Sequence, residues 1–374
     1  MSHGEVSPGR SRPVVVRSPD GPVEAVMEAD ALDAMSDVDV MLVRGPLFGV
    51  AAQSPEDAPR WRVVVPVTAG SPQEARDSLN SWLWFRAKDT ADTREERRAL
   101  LAGVARLEKE PVDELTVQDT RYRVVRAEEY AGSGRDGIEQ PRATDPEPAV
   151  PDWERGVRDR IDDQLLLDPQ EPVTPALAAE RLALRALVYA GSRFPEEVCR
   201  DSRLIRESHP DVLLLPPAFR VVEKDGIGWK TGSALHASAH EARKTLDFSL
   251  TWFEPRQQGL IPWDLPDRTA DARAVAAESD DATAAELAEY IRAADRLRTE
   301  RANQIEVHGT VHRICRARRL LRWGPDGPES PRPSDTDSHL PDRLHPFLDE
   351  DGVVHFDHYE DEDGDGDGDG DGEA

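Results

Sequence analysis

The residues with the clearest potential for chemistry form an arginine-rich strip near the end of the chain. Residues 301–323 include six Arg and one Glu, whereas the whole chain has 47 basic and 74 acidic residues and a formal net charge of −27. Guanidinium groups bind carboxylates and phosphates through paired hydrogen bonds, so a local excess of arginine can form an anion site in an acidic protein. The candidate anion- or partner-binding residues are Arg313, Arg316, Arg318, Arg319, Arg322, His308 and His312.

Two interpretations of this strip are open. Acidic residues of an inserted loop or of the C-terminal tail neutralise the arginines, or the arginines bind a small anion or an acidic protein. In the second case His308 and His312 would make binding depend on pH, because histidine titrates near neutrality.

A second group of arginines lies in a repeated loop pattern. The pattern D-G-x-E-x-P-R-x-x-D occurs at 136–145 and again at 326–335. Its Arg142 and Arg332 each stand between acidic residues, and Asp136 and Asp326 open the two loops. We expect these arginines to hold their own loops in place through ion pairs, which is a structural role.

Other motifs do not support a cofactor or a metal. Gly132, Gly134 and Gly137 spell G-x-G-x-x-G, but residues 138–148 contain three prolines, so no helix can begin there to bind a pyrophosphate. The pairs His236 with His240 and His308 with His312 straddle a predicted helix cap and a predicted turn. No Walker loop, G-x-S-x-G, HExxH or Cys–His pairing occurs. The sequence therefore predicts no cofactor, no metal site and no catalytic residue.

The elements that position these residues are duplicated within the chain. Shifting the sequence by 190 residues aligns 93–152 with 283–342 without a gap, and 19 of the 60 aligned positions are identical. Upstream the shift falls to 167, which places an insertion at about 254–281 in the second copy. An internal repeat of this kind indicates two similar structural units.

Four capping boxes at matched positions support the alignment. They pair Ser71 with Glu74, Ser238 with Glu241, Thr93 with Glu96, and Thr283 with Glu286. Behind them, apolar residues recur on one helical face, among them Ala242, Leu246 and Leu250. Asp119 and Gly309 mark the turns of two predicted hairpins.

Each unit therefore has a helix, a hairpin, two helices and a second hairpin. Because strands come in adjacent pairs, we predict an α+β fold with antiparallel sheets and a pseudo-twofold arrangement of the units, and not a doubly wound parallel sheet.

The predicted organisation has five parts. They are an N-terminal extension with one strand (1–19), a first repeat (20–152), a Pro-rich linker with a connecting helix (153–192), a second repeat (193–348) and a disordered Asp/Gly tail (349–374). The tail carries 13 carboxylates and no Lys or Arg, and self-repulsion disfavours packing. Asp361, Asp363 and Asp365 match only half of a calcium loop, so no specific calcium site is predicted.

Composition limits the partners and the compartment. The net charge disfavours duplex nucleic acid and an anionic membrane surface. The N-terminus lacks an apolar targeting segment, and the most apolar stretch, 212–219, is too short to span a bilayer. Two cysteines without paired spacing fit a reducing compartment, so we expect a cytoplasmic protein.

Several long runs resemble one known family. They are the segment from Val307 to Asp335, R-W-R-V-V-V-P-V from Arg60, and S-P-Q-E-A-R-D-S-L-N-S from Ser71. Together they resemble an actinobacterial domain-of-unknown-function family numbered 5954, over about residues 12–351. The family has no assigned activity, so the resemblance implies a bacterial cytoplasmic setting and assigns no catalytic residue. The Asp/Gly tail lies outside the resemblance.

The sequence leaves three functional hypotheses. The first is a non-enzymatic interaction or ligand-binding protein, in which the basic strip of the second repeat receives a protein or a small anionic ligand. The alternative is an enzyme acting on an anionic small molecule in a cleft between the repeats. The third is a single-strand nucleic-acid binder that uses the arginines and Trp323.

Overall fold

The structure is a computed structural model, and it describes residues 11–154, 160–226, 228–265, 271–278 and 280–356. We refer to residues 20–152 as the first half, to 193–348 as the second half, and to 153–192 as the connecting segment. Among the described residues, no helix is both long enough and apolar enough to cross a bilayer.

The first half begins with a helix and continues with a hairpin, two helices and a second hairpin. Its elements are α1 (Gly21–Ser36), β1 (Val40–Gln53), β2 (Trp61–Ala69), α2 (Pro72–Asp89), α3 (Arg94–Leu107), β3 (Glu114–Val117), β4 (Thr120–Gly134) and β5 (Gly137–Ile138). The connecting segment adds β6 (Leu166–Leu167) and α4 (Pro175–Leu184).

The second half has the same order of elements with an interruption between its two main helices. Its elements are α5 (Glu196–Ser208), β7 (Asp211–Asp225), β8 (Gly228–Thr231), α6 (Ala239–Phe248), a π-helical turn (Ser249–Phe253), α7 (Glu254–Gln257), α8 (Ala272–Ala276), α9 (Asp281–Thr299), β9 (Gln304–Val307), β10 (Thr310–Gly324) and β11 (Gly327–Pro328). A small hairpin of β12 (Phe347–Leu348) and β13 (Val354–His355) follows.

One β-sheet joins the two halves. Its strand order is β6-β2-β1-β4-β10-β7-β8, with β3 and β5 added to β4, and β9 and β11 added to β10. Neighbouring strands of the sheet are antiparallel. At the centre β4 pairs with β10, and Glu129 lies opposite Arg319 in the register. The predicted α+β class with antiparallel pairing is confirmed.

Helices of each half cover one part of this sheet. In the first half, α2 and α3 pack on β1, β3 and β4 through residues such as Leu79, Leu83 and Leu107. In the second half, Leu246 of α6 and Leu297 of α9 belong to the corresponding cluster with β7, β9 and β10. A third cluster contains apolar side chains from the central strands of both halves. The halves therefore share a core as well as a sheet.

Three of the four predicted capping boxes begin helices as expected. The hydroxyl oxygens of Ser71, Thr93 and Ser238 accept the backbone N–H of Glu74, Glu96 and Glu241 at 3.3, 3.1 and 3.2 Å. Each hydroxyl satisfies one of the amides that a helix start leaves without a partner.

The fourth predicted cap is wrong. Helix α9 begins at Asp281, two residues before Thr283, and Asp280 is its N-cap. The Asp280 carboxylate accepts the Thr283 backbone N–H at 2.8 Å. A carboxylate also complements the positive end of the helix dipole, so the aspartate displaces threonine from the cap position.

Both predicted hairpin turns connect the strands that the sequence indicated. The turn of Gln118 and Asp119 separates β3 from β4, and Gln118 has φ +53°. In the second half His308 and Gly309 separate β9 from β10, with φ +47° and +78°. Positive φ at consecutive residues is the geometry of a tight two-residue hairpin turn.

The predicted loop and terminal segments contain some regular structure. Helices α7 and α8 lie within the predicted insertion at about 254–281, of which 266–270 and 279 lie outside the described residues. Val16 of the N-terminal extension forms an isolated parallel bridge with Val173. Strand β13 lies within the predicted acidic tail, whereas 357–374, including the half calcium loop, lie outside the described residues.

Candidate ligand-binding site

The arginines of the predicted strip lie on β10, a central strand of the sheet. Four of the five are buried, with 8% of Arg313, 7% of Arg316, 0% of Arg319 and 2% of Arg322 exposed, and Arg318 is half-buried. Strands β4 and β7 flank β10 on its two sides, so little of it reaches solvent. The structure thus places these side chains inside the protein and not on a basic surface.

Arg319 and Arg322 have internal partners. Arg319 Nη2 donates to Asp162 Oδ1 at 2.8 Å, and the pair is fully buried. Arg322 donates to the carbonyl oxygen of Leu187 at 2.5 Å. A buried guanidinium needs such partners because its transfer out of water is costly. Both residues therefore attach the connecting segment to the sheet.

Arg313 holds the loop that follows β4. Its Nη1 donates to the carbonyl oxygens of Asp136 and Ile138 at 2.7 and 3.0 Å. The first half has the reciprocal contact, since Arg123 of β4 donates to the carbonyl oxygen of Asp326 at 3.0 Å. Each loop therefore lies over a strand of the other half.

This exchange continues farther along both loops. We call the contact of Arg316 with the loop 136–145 the β10 clamp. In it Arg316 Nε donates to Asp145 Oδ1 at 2.9 Å, and the Arg316 backbone N–H donates to the carbonyl oxygen of Glu139 at 2.9 Å. Glu139 Oε1 is 3.9 Å from Arg316 Nη1, too far for a hydrogen bond.

We call the contact of Arg126 with the loop 326–335 the β4 clamp. Arg126 Nε donates to Asp335 Oδ2 at 2.8 Å, and its backbone N–H donates to the carbonyl oxygen of Glu329 at 3.0 Å. A further carboxylate completes this clamp, because Arg126 Nη1 donates to Glu128 Oε1 at 2.6 Å. Residues of the two clamps are 190 positions apart in the sequence.

The predicted loop-pinning arginines lie inside the two loops. Arg142 Nε donates to Glu139 Oε1 at 2.7 Å, and the Arg142 backbone N–H donates to Asp145 at 2.8 Å. Arg332 makes the same two contacts in its own loop, to Glu329 at 2.6 Å and to Asp335 at 2.7 Å. The backbone carbonyl oxygens of Asp136 and Asp326 accept hydrogen bonds from Arg313 and Arg123, which lie on the central strand of the other half.

The two clamps differ in electrostatics. Burial lowers the pKa of Arg126, but the charges of Glu128, Glu329 and Asp335 outweigh it, so its pKa is above the ordinary value. Burial and the neighbouring charge of Arg318 lower the pKa of Arg316. Arg316 Nη1 is buried without a hydrogen-bond partner among the described residues. The β10 clamp therefore lacks negative charge where the β4 clamp has it.

The cause of this difference is one pair of aligned residues. Position 128 is Glu and position 318, which is 190 residues later, is Arg. Arg318 turns to Glu180 of α4, which also accepts the Tyr130 hydroxyl at 2.7 Å. Arg316 consequently has no neighbour on its own strand that could neutralise it.

The two histidines of the strip lie apart from these clamps. His308 is in the turn between β9 and β10, with its Nδ1 3.4 Å from Glu289. His312 is 3% exposed, and its Nδ1 is 3.8 Å from Glu223. Within the described residues, no three His, Cys, Asp or Glu side chains are grouped so that they could hold a metal ion.

A cavity of about 470 Å³ lies beside the β10 clamp. Its wall combines α1 and the loop after β4 with the connecting segment, α4, β7 and β10, so both halves contribute to it. Arg142, Arg316 and Arg318 of the predicted residues line it. The apolar part of the wall includes Met27, Met35, Leu165, Leu177, Leu213 and Leu215.

Arg181 of α4 is the residue of this cavity that sequence reasoning missed. It is 6% exposed, and its Nε is buried without a hydrogen-bond partner among the described residues. Burial lowers the pKa of Arg181 against the smaller opposing effect of Glu171. Leu177, Arg181 and Leu184 share one face of α4. A charged residue within an apolar helical stripe is therefore the sequence signal that could have identified Arg181.

Four of the six carboxylates that line the cavity are bonded to an arginine or to a backbone N–H. Glu180 is paired with Arg318, Asp145 with Arg316, and Glu24 with Arg17. Glu28 accepts the backbone N–H of Ala176 at 2.7 Å, at the start of α4. A buried guanidinium without a bonded carboxylate can bind an anionic group from outside the chain.

Comparison with known proteins gives one result. The comparison with curated proteins and the comparison with solved structures found no match. A family model described as a family of unknown function, DUF5954, matches residues 21–338. This match spans α1, both halves of the sheet and the cavity wall apart from Arg17, and it ends before the β12–β13 hairpin. The chain therefore belongs to the DUF5954 family.

Proposed function

We propose that this protein is a non-enzymatic binding protein whose cavity receives a small anionic molecule. Of the two partners that the sequence suggested, a protein or a small anion, the buried position of the arginines favours the small anion. Arg316 and Arg318 contact the cavity but are largely hidden from the outer surface. A folded protein partner could not reach them without opening the structure.

The observation that carries the proposal is the unpaired guanidinium of Arg181. Leaving a charged group in an apolar wall without a partner is costly, and such groups in native proteins are normally paired. The Nε of Arg181 is buried without a hydrogen-bond partner, and the described part of the chain gives the rest of its guanidinium neither a hydrogen bond nor an ion pair. An anionic ligand in the cavity would supply the missing partner.

The unmatched Nη1 of Arg316 supports the same site. Arg316 lines the same cavity as Arg181, and its counterpart Arg126 is neutralised by Glu128. With Arg318 in place of a carboxylate at the aligned position, Arg316 keeps more of its positive charge beside the cavity. We infer that this divergence between the halves created a binding site on one side only.

We also propose that the halves are copies of one ancestral module related by a pseudo-twofold axis. The register supports this, because Glu129 and Arg319 face each other and are themselves 190 residues apart. On either side of this pair, Arg318 faces Tyr130 and Leu320 faces Glu128. Arg318 aligns with Glu128 and Leu320 aligns with Tyr130, so exchanging the two halves turns one of these pairs into the other. A twofold axis between Glu129 and Arg319 produces this pattern.

The test is a thermal-shift and calorimetric screen of small organic anions against the full chain and against Arg181→Met. The wild-type protein should be stabilised by one class of anion, and the substitution should weaken its binding at least about tenfold, the equivalent of about 1.4 kcal/mol. Without ligand, Arg181→Met should be at least as stable as the wild type, because it removes a buried unpaired charge. This separates a ligand-binding role from a structural one.

Arg98→Met provides the matched control, since Arg98 pairs with Glu350 at the surface and does not line the cavity. It should bind the anion as the wild type does. Unchanged affinity in Arg181→Met would overturn the proposal. Conversion of the bound anion, detected by mass spectrometry, would instead favour the alternative of an enzyme acting on an anionic small molecule in this cavity.

A further inference from the structure

We infer that the ligand is a monocarboxylate with an extended apolar body, such as a medium-chain carboxylic acid. This inference rests on the proposed function and adds the chemical class of the ligand. Three features of the cavity carry it: the composition of the wall, the charge of the wall and the helix that covers it.

The wall is mostly apolar away from the arginines. Leucines from three separate segments line it, Leu165 from the connecting segment, Leu177 from α4 and Leu213 from β7. Pockets in the range of hundreds of Å³ typically bury an apolar ligand body and fix its orientation with a few polar groups. A ligand that consisted only of a small inorganic ion would leave this apolar wall without a partner.

The charge of the wall favours one negative charge over two. Within the described residues, five guanidiniums and six carboxylates line the cavity. Most of the guanidiniums are already committed to carboxylates, as Arg17 is to Glu24 and Arg318 to Glu180. Arg181 is left without a bonded carboxylate. One guanidinium suits the two oxygens of a single carboxylate, whereas a phosphate dianion would bring an excess negative charge close to the acidic residues.

Helix α1 supplies an adaptable cover for the apolar body. It has no buried residue, and it contributes Met27 and Met35 to the wall. These are two of only four methionines in the chain. Methionine side chains are unbranched and flexible, so they adjust to apolar ligands of different shape. Polar contacts hold α1 at its edges, including Glu28 with the start of α4.

The experiment compares four probes by isothermal titration calorimetry on the full chain: acetate, decanoate, decanol and decyl phosphate. Decanoate should bind most tightly. Acetate should bind at least about tenfold more weakly, because it lacks the apolar body. Decanol and decyl phosphate should each bind at least about tenfold more weakly, because one lacks the charge and the other carries an excess of it.

Two variants test the two parts of the ligand separately. Arg181→Met should weaken decanoate binding at least about tenfold while leaving decanol unchanged. The double variant Met27→Ala and Met35→Ala should weaken decanoate several-fold, about the effect of two partly lost apolar contacts, and leave acetate unchanged. Met41→Ala is the matched control, since Met41 is exposed on β1 and does not line the cavity.

The outcomes distinguish this inference from the proposed function. Arg181-dependent binding of acetate or decyl phosphate that equals or exceeds decanoate binding would overturn the inference and leave the proposed function intact. Binding of decanoate that is the same in Arg181→Met would overturn both, as would the absence of binding by all four probes together with a negative anion screen.

Discussion

The β4 clamp and the β10 clamp have the same architecture but different charge balances. In both, an arginine on a central strand is bonded to an aspartate from the loop of the opposite half. The arginine of the β4 clamp also bonds Glu128, whereas that of the β10 clamp has Arg318 at the aligned position. One change of charge between two aligned positions therefore separates a structural ion-pair network from a candidate binding site.

The position of the connecting segment follows from the same difference. Tyr189 of this segment donates its hydroxyl to Glu128 at 2.6 Å, next to the β4 clamp. Glu180 of the same segment forms an ion pair with Arg318 of β10, and the cavity lies between α4 and the β10 clamp. A single segment thus contacts Glu128 beside the β4 clamp and Arg318 beside the β10 clamp.

The largest expected effect is on stability, in a matched pair of substitutions. Arg126→Met removes the guanidinium that bonds Asp335 and Glu128 and leaves Arg332 as the remaining cation beside Glu128 and Glu329, so we expect the free energy of unfolding to fall by about 3–5 kcal/mol. Arg316→Met leaves mainly Asp145, which keeps a backbone N–H donor from Arg142, so the loss should be roughly half as large. Urea unfolding measures both. Equal losses would contradict the asymmetry of the clamps.

A second prediction concerns acid. Burial raises the pKa of Glu128, but the charges of Arg126 and Arg332 outweigh it and hold the pKa below the ordinary value. Glu128 therefore contributes stability at pH values above its unfolded pKa, about 4.3, and this contribution is lost as the pH falls through the lower folded pKa.

The Glu128→Gln variant should lose about 1–3 kcal/mol at pH 7 and show a smaller further loss between pH 5 and 3 than the wild type. Unfolding free energies across this pH range provide the measurement. Parallel pH profiles for the variant and the wild type would mean that Glu128 does not titrate as the structure implies.

A charge exchange between β10 and α4 tests whether Arg318 causes the difference between the clamps. The double variant Arg318→Glu and Glu180→Arg keeps an ion pair between β10 and α4. It also places a glutamate at position 318, as the β4 clamp has at the aligned position 128. The new carboxylate should neutralise Arg316, so anion binding in the cavity should weaken about tenfold, or about 1.4 kcal/mol, with little change in stability. Calorimetry and urea unfolding test the two parts, and undiminished binding would exclude Arg316 from the site.

The smallest effect is kinetic and concerns a buried thiol. Burial, together with the charge of Glu129, raises the pKa of Cys315 on β10 to about 12. A neutral buried thiol reacts slowly, so iodoacetamide should label Cys315 much more slowly in the native protein than after unfolding. The aligned residue on β4 is Val125. The thiol introduced by Val125→Cys should be labelled more slowly still, because Val125 is fully buried whereas 3% of Cys315 is exposed. Faster labelling at position 125 would mean that β4 opens to the reagent more readily than β10.

Local features of the fold could be predicted from the sequence because short-range physics determines them. Side-chain caps at Ser71 and Ser238 and the two-residue turn at Gly309 depend on neighbouring residues alone. The apolar periodicity of Leu246 and Leu250 identified a buried helical face correctly. The α+β class then followed from the order of these elements.

The environment of the site depends on contacts between residues distant in sequence, which no local pattern reveals. Arg319 is fully buried because β10 occupies the middle of the joined sheet, next to β4, and its partner Asp162 lies in the connecting segment. Trp323 is 2% exposed for the same reason, so its ring is not available to stack on a base. Sequence analysis missed Arg181 because its interest lies in having no bonded carboxylate. Only the three-dimensional packing shows which groups surround a buried side chain.

The exchange of loops between the halves has a consequence for synthesis of the chain on the ribosome. When residues 20–152 have emerged, Arg126 and Glu128 are present, but Glu329 and Asp335, which complete their cluster, are still to be translated. The buried ion-pair cluster of the nascent first half therefore stays incomplete until the loop 326–335 has been synthesised. Neither half can form all of its native contacts before that point. If the gene were divided between the halves, each of the two fragments would carry the loop that bonds the arginine of the other fragment.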